Sequence, residues 1–168
     1  AKAQMYSQKT SLSDKQLSLK VLTHLVGDIH QPMHTINQIS HKLPRGDMGG
    51  NLFPLAKNSI GSNLHQYWDN GGGVLLGPSD LSRLRNKAKQ WEQEYSCDEA
   101  NRQNKPKKWI KTTHRMAKKH AYALKSNTVP TRTYQKKTQA IVKKQIVYGG
   151  CRLAYMLNDI ASKKADLR

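Results

Sequence analysis

At 168 residues the chain is long enough for one compact domain with a real core, and two domains would each be undersized. The hydrophobic share of 36% is low yet workable, and no apolar run is long enough for a helical membrane span. The formal net charge is +18, with fourteen Lys or Arg and no Asp or Glu between Asn101 and Lys144; such a stretch either attracts polyanions, nucleic acid first among them, or serves as a solvated face.

In chain order, Ser13 and Gln16 form a capping box, which predicts a helix running to about Ile29 and ended by Pro32. Projected at 100° per residue, Leu17, Val21, Leu22, Leu25, Val26 and Ile29 fill a broad apolar arc, so this helix is expected to be largely buried. His24 and Asp28 fall at one edge of the arc, beside Leu17 and Val21. Residues 35–62 read as a long loop, with Pro44-Arg-Gly-Asp-Met-Gly-Gly-Asn51 and Pro54 as turn chemistry. A short helix over 63–69 is ended by Gly71-Gly-Gly73. Further helices are predicted at 79–95, 107–125 and 131–162, the last with Ile146, Gly150, Leu153, Leu157 and Ile160 in one stripe. Gly149-Gly150 lowers its helix propensity by roughly 1 kcal/mol per Gly, and Gly150 in the stripe predicts a close helix crossing there. With no strand alternation and no repeat, the fold class is all-α. Cys97 and Cys151 permit one disulfide, and two buried thiols fit equally well.

Chemistry concentrates in His24-Leu-Val-Gly-Asp28-Ile-His-Gln-Pro-Met-His34 and His65-Gln-Tyr-Trp-Asp69. A His followed four places on by an Asp sets imidazole and carboxylate on one helix face. Pro32 then turns the chain so that His34 offers a third imidazole from a new direction. Imidazoles mixed with carboxylates, without thiolates, suit zinc in water-bearing hydrolytic sites. The absence of His-Glu-x-x-His argues against a zincin metalloprotease. A single His on an apolar face is more often a satisfied core residue, but two His-x3-Asp pairs and a further His reverse that balance. These residues alone indicate a metal site and leave its reaction open.

The ordered set of motifs resembles a known family. His24-x3-Asp28-Ile-His-Gln-Pro-x-His34, Gly49-Gly-Asn51, Asn63-Leu-His65-x2-Trp68-Asp69, the span from Trp109 to Tyr122, and Gly150-x-Arg152-Leu-Ala-x-x-Leu157-Asn158 are similar to zinc-dependent single-strand-specific nucleases and 3′-nucleotidases, fold relatives of the zinc phospholipases C. Residues 35–48 and 72–105 match poorly. The resemblance implies a single helical domain over residues 1–168 and, in the complete protein, three zinc ions. It implies hydrolysis of single-stranded DNA or RNA to 5′-nucleotides, 3′-nucleotidase activity, and a secreted or periplasmic location. His24 and Asp28 match ligands of a closely spaced zinc pair, with Asp28 bridging, and His34, His65 and Asp69 match the ligands of the third ion. Asn70 matches a polar residue facing the substrate base, and Asn51 lies in a loop able to orient a ligand or substrate. His30 and His41 match no ligand position and read as structural or surface residues; His114 and His120 read as packing or solvated. The family's N-terminal zinc-binding tryptophan, further ligands and acidic general base have no counterpart after Ala1. The resemblance therefore implies the C-terminal part of a member, inactive or weakly active alone, with an N-terminal fragment as a partner. Two rival uses of the same residues are phospholipase C-like or acid phosphatase activity, and an inactive basic module that binds nucleic acid.

Overall fold

A computed structural model describes residues 2–7, 9–78 and 80–165. Among them are seven helices: α1 (Lys2–Tyr6), α2 (Leu12–Asp28), α3 (Leu64–Asp69), α4 (Leu81–Glu94), α5 (Cys97–Asn101), α6 (Pro106–His120) and α7 (Arg132–Ala165). No strand occurs among the described residues; a single isolated bridge pairs Pro54 with Asn63. The fold is all-α, as the periodicity implies.

Helix starts follow capping chemistry. Ser11, not Ser13, caps α2: its extended backbone (φ −60°, ψ 159°) lets its hydroxyl accept from the Asp14 amide, and Asp14 adds a carboxylate to the first turn. Asn63, Asp80 and Ser96 cap α3, α4 and α5 in the same way. The predicted start of α4 at Ser79 lies outside the described residues. Pro106 occupies the first turn of α6, where a missing N–H costs nothing. Helix α6 ends at His120, earlier than the predicted 125, and passes into a 3₁₀ turn over Ala121–Ala123.

Helix α7 is the axis of the molecule. Its 34 residues span about 51 Å and contribute to all three apolar clusters. Ile141 and Val142 pack with Met33, Leu64, Trp68 and Ala117; Val147, Tyr148 and Cys151 pack with Trp91 and Ala100; Ile160 packs with Met5, Leu22, Val26 and Trp109. A disulfide joins Cys97 of α5 to Cys151 of α7. The Gly71–Gly73 turn is tied to α7 by Gln135 and Gln139, which both donate to the Gly72 carbonyl.

Helix α2 is not largely buried: only Ser18, Leu22 and Val26 are enclosed, whereas Leu17 is 60% and Leu25 51% exposed, and His24 is mostly in solvent. The apolar arc is wider than the surface α1, α6 and α7 cover, so half of it stays open. The close approach on α7 occurs at Gly149, where a Cβ would lie 3.4 Å from the His30 ring, while one at Gly150 would meet nothing within 4 Å. Gly150→Ala is therefore expected to stabilise the protein by up to about 1 kcal/mol. Gly149→Leu, which drives atoms into the imidazole, should destabilise it by about 1–3 kcal/mol. Urea unfolding midpoints of the two variants, compared with the parent, check both signs.

Candidate metal centre

The five residues singled out as ligands meet in one continuous chain of contacts. His24 Nε2 lies 3.1 Å from Asp28 Oδ2, and the other oxygen of Asp28 lies 3.3 Å from His34 Nδ1. His34 Nε2 is 3.8 Å from Asp69 Oδ1, and Asp69 Oδ2 is 3.5 Å from His65 Nε2. Each carboxylate thus faces two imidazoles with its two oxygens. The rings of His34 and His65 stack with centroids 5.1 Å apart. Within this chain, His34, His65 and Asp69 bring one donor atom each to within 4.8 Å of one another.

Local sequence explains why these side chains converge. The His-x3-Asp pairs use successive turns of α2 and α3. Gln31 and Pro32 open the 3₁₀ turn Pro32–Thr35, which swings His34 back over the end of α2. The Gln31 amide donates to Asp69 Oδ1 at 2.6 Å while its oxygen accepts from the Met33 amide, so one side chain joins that turn to α3. His65 Nδ1 lies 2.8 Å from the Gly49 carbonyl. A carbonyl only accepts, so Nδ1 carries the proton and Nε2 presents its lone pair toward Asp69, the tautomer a metal needs. Gly49 adopts φ +63°, and a Cβ there would sit 2.6 Å from the Met33 carbonyl; only glycine lets this loop approach so closely.

Support extends further out. Asp47 is buried, accepts from the Gln38 amide at 3.0 Å and from the Tyr122 hydroxyl at 2.6 Å, and so fixes the loop that carries Gly49. Burial, followed by the Asp47 hydrogen bond, pushes the Tyr122 phenol well above its ordinary range, which keeps it a donor. His114 Nδ1 donates to the Thr35 carbonyl at 2.8 Å, and the Thr113 hydroxyl lies 2.8 Å from the Ile29 carbonyl. His30 is buried between Val26 and Arg152: its Nδ1 donates to the Val26 carbonyl, and its Nε2 accepts from Arg152 Nη1 at 2.7 Å. Burial, then the adjacent guanidinium, holds this imidazole down to about 4, against the raising effect of the Val26 bond. His30 is structural, as expected; His41 is exposed.

Asn51 and Asn70 lie beside the chain of ligands rather than in it. Asn51 is exposed and donates to the Met48 carbonyl, and Asn70 donates to the Ile60 carbonyl at 2.6 Å. Gln31, Asp47 and Arg152 were not singled out as functional from sequence. Gln31 stands between two ligand-bearing elements in the motif, but Asp47 and Arg152 reach their partners only through the fold. An apolar cleft of about 470 Å³ opens between α2 and α7, with Trp68 and Leu75 among its walls and Asp28, His34 and Asp69 at its polar edge.

Comparison with known proteins gives the family. The S1/P1 nuclease family model matches residues 1–162. The chain belongs to that family. Among S1/P1 relatives, Endonuclease 4 of Arabidopsis thaliana is 30% identical over 167 residues, covering 88% of this chain and 51% of its own length. Endonuclease 1 of the same plant is 32% identical over 158 residues, 86% and 50% respectively. Nuclease S1 of Aspergillus oryzae is 36% identical over 52 residues, 31% of this chain and 15% of its own. The chain thus spans about half the length of the plant relatives it matches.

The donor set fits a borderline-soft divalent metal: two imidazoles, one with a fixed tautomer, and a carboxylate. Gln31→Ala releases Asp69 without touching a donor atom. It should lower the affinity for zinc or cobalt by about 10–100-fold with an unchanged far-ultraviolet circular dichroism spectrum, measured by competition with a chromogenic chelator.

Proposed function

We propose that the chain carries the zinc-binding part of a nuclease that hydrolyses single-stranded DNA or RNA to 5′-nucleotides and acts also as a 3′-nucleotidase. The observation that carries this reading is the His34–His65–Asp69 triad, with the His65 lone pair turned inward by Gly49, in a chain of the S1/P1 nuclease family. His34, His65 and Asp69 would hold one ion, and His24 and Asp28 would contribute to a neighbouring pair. When bound, zinc supplies Lewis acidity at phosphoryl oxygens and a lowered pKa for coordinated water.

The chain's own residues do the positioning. Gln31 keeps Asp69 aimed at His34 and His65, so the carboxylate does not swing into solvent. The Gly49 carbonyl keeps the His65 proton off the inward nitrogen. The hydrogen bond from Arg152 fixes the His30 ring, two residues from Asp28 and four from His34, and this stiffens the segment between those ligands. Asn51 and Asn70, at the margin, would meet the substrate's sugar or base. No proton-accepting role is assigned to a residue of this chain. A secreted or periplasmic location belongs to the same reading, and a disulfide between Cys97 and Cys151 is in keeping with it.

Zinc affinity of the parent, His65→Ala and His24→Ala tests the assignment without relying on turnover. Loss of His65 removes a donor from the triad and should weaken the tightest site by more than about 100-fold, beyond what a lost supporting partner costs; loss of His24 should spare that site. Zinc retention that survives His65→Ala but disappears in His24→Ala overturns the assignment. Single-stranded DNA, a 3′-nucleotide and phosphatidylcholine, each offered with zinc or with chelator, then test the reaction. Chelator-sensitive turnover of phosphatidylcholine alone overturns the nuclease reading.

A further inference from the structure

Helix α6 buries Trp109, Thr113 and Ala117 along one side. At 100° per residue, Lys107, Lys108, Lys111, Arg115, Lys118 and Lys119 gather on the opposite side, and all six are exposed. The ion pairs among the described residues involve Lys2, Lys143, Lys144 and Lys163 as the Lys/Arg partners; none of the six has a carboxylate within reach. On α7, by contrast, Lys143 faces Glu94 and Lys144 faces Glu99. Six uncompensated cations along about 18 Å of helix axis repel one another, and a series of anions relieves that repulsion.

This face is also attached to the metal centre. His114, at its border, holds the carbonyl of Thr35, the residue after His34. Beside it runs a shallow groove of about 490 Å³ lined by Ile110, Lys111, His114 and Arg115. Ile110 is the one large apolar side chain of α6 that is well exposed among the described residues. A surface that inserts into a lipid bilayer mixes several apolar side chains with its cations; this one does not.

We propose that the basic face of α6 is a phosphate-binding track that carries the backbone of a single-stranded nucleic acid to the edge of the metal centre. The identity of the strand rests on the nuclease reading above. Phosphate contacts of this kind position a strand without reading its bases, and the groove at Ile110 and His114, midway along the face, is where the track adjoins the segment that carries His34.

Binding of a fluorescent oligothymidylate, measured with chelator present so that nothing is cleaved, tests the track separately from the metal chemistry. With about four phosphates engaged, the slope of log affinity against log salt should be about −3. Lys111→Glu with Arg115→Glu, and Arg85→Glu with Lys89→Glu on α4, each reverse two charges and lower the formal net charge from +18 to +14. The α6 pair should weaken binding at low salt by at least about 10-fold and flatten the slope by about 1 or more. The α4 pair should change affinity by less than about 3-fold, and Lys111→Gln with Arg115→Gln should fall between the α6 reversal and the parent. Equal losses from both reversed pairs, or no loss from the α6 pair, overturn the proposal, as does tighter binding to phosphatidylserine vesicles than to the oligonucleotide. If zinc is not retained while the α6 reversal behaves as stated, the track stands and the metal reading alone fails.

Discussion

A buried guanidinium holds this molecule together at its centre. Among the described residues Arg152 has no carboxylate partner, yet it is only 7% exposed. Its charge is compensated by acceptors and aromatic faces instead: the Ala100 carbonyl takes Nε, the His30 imidazole takes Nη1, and the rings of Trp109 and Tyr148 lie 5.0 and 5.2 Å from its carbon. Those partners come from α5, the end of α2, α6 and α7 itself. Burial depresses the Arg152 pKa, but an arginine keeps its proton in such surroundings. The imidazole opposite must then stay neutral, because protonating it would set two cations 2.7 Å apart in a poorly solvated space. A hydrogen bond with one permitted polarity is thereby fixed at the point where the ligand segment leaves α2.

The candidate metal centre shows the same logic at lower density. None of its donors is fully buried, so packing alone does not order them. Order comes from single hydrogen bonds that each remove one freedom: Gln31 that of the Asp69 carboxylate, the Gly49 carbonyl the tautomer of His65, and His114 that of the backbone after His34. The loop behind His65 is anchored in turn by Asp47 and Tyr122. The donor side chains are thus ordered while they stay partly exposed.

What the sequence made legible follows from the range of each interaction. Helical periodicity and His-x3-Asp spacing are local, and they located α2, α3, α6, α7 and all five candidate ligands. Burial is not local. The apolar arc of α2 reads as core from Leu17 to Ile29, but which half is covered depends on where α1, α6 and α7 lie. Gly150 belongs to the apolar stripe of α7 by angle, whereas the imidazole that approaches the helix meets Gly149, because His30 enters from outside the periodic pattern. The caps show a finer failure: Ser11 and Ser13 are equally competent chemically, and the extended backbone at Ser11 decides between them. Arg152 stands in a recognisable motif and Asp47 in a turn-rich loop, but neither pattern names a partner, and their partners are 122 and 75 residues away in sequence.

The bridge between Cys97 and Cys151 has a consequence beyond stapling two helices. Cys151 immediately precedes Arg152, and Cys97 opens the short helix whose Ala100 carbonyl receives that guanidinium. Five residues are too few for α5 to persist as a helix by itself, so the sulfur link, with the packing of Ala100 and the Glu99–Lys144 pair, keeps this acceptor registered on the arginine. In a thiol-rich medium this acceptor would be held less firmly. Of its two hydrogen-bond acceptors the guanidinium would keep His30, beside the Trp109 and Tyr148 rings, and the disturbance would travel along that hydrogen bond to the segment bearing Asp28 and His34. The oxidation state of two cysteines is thus coupled mechanically to the alignment of ligands that neither of them touches.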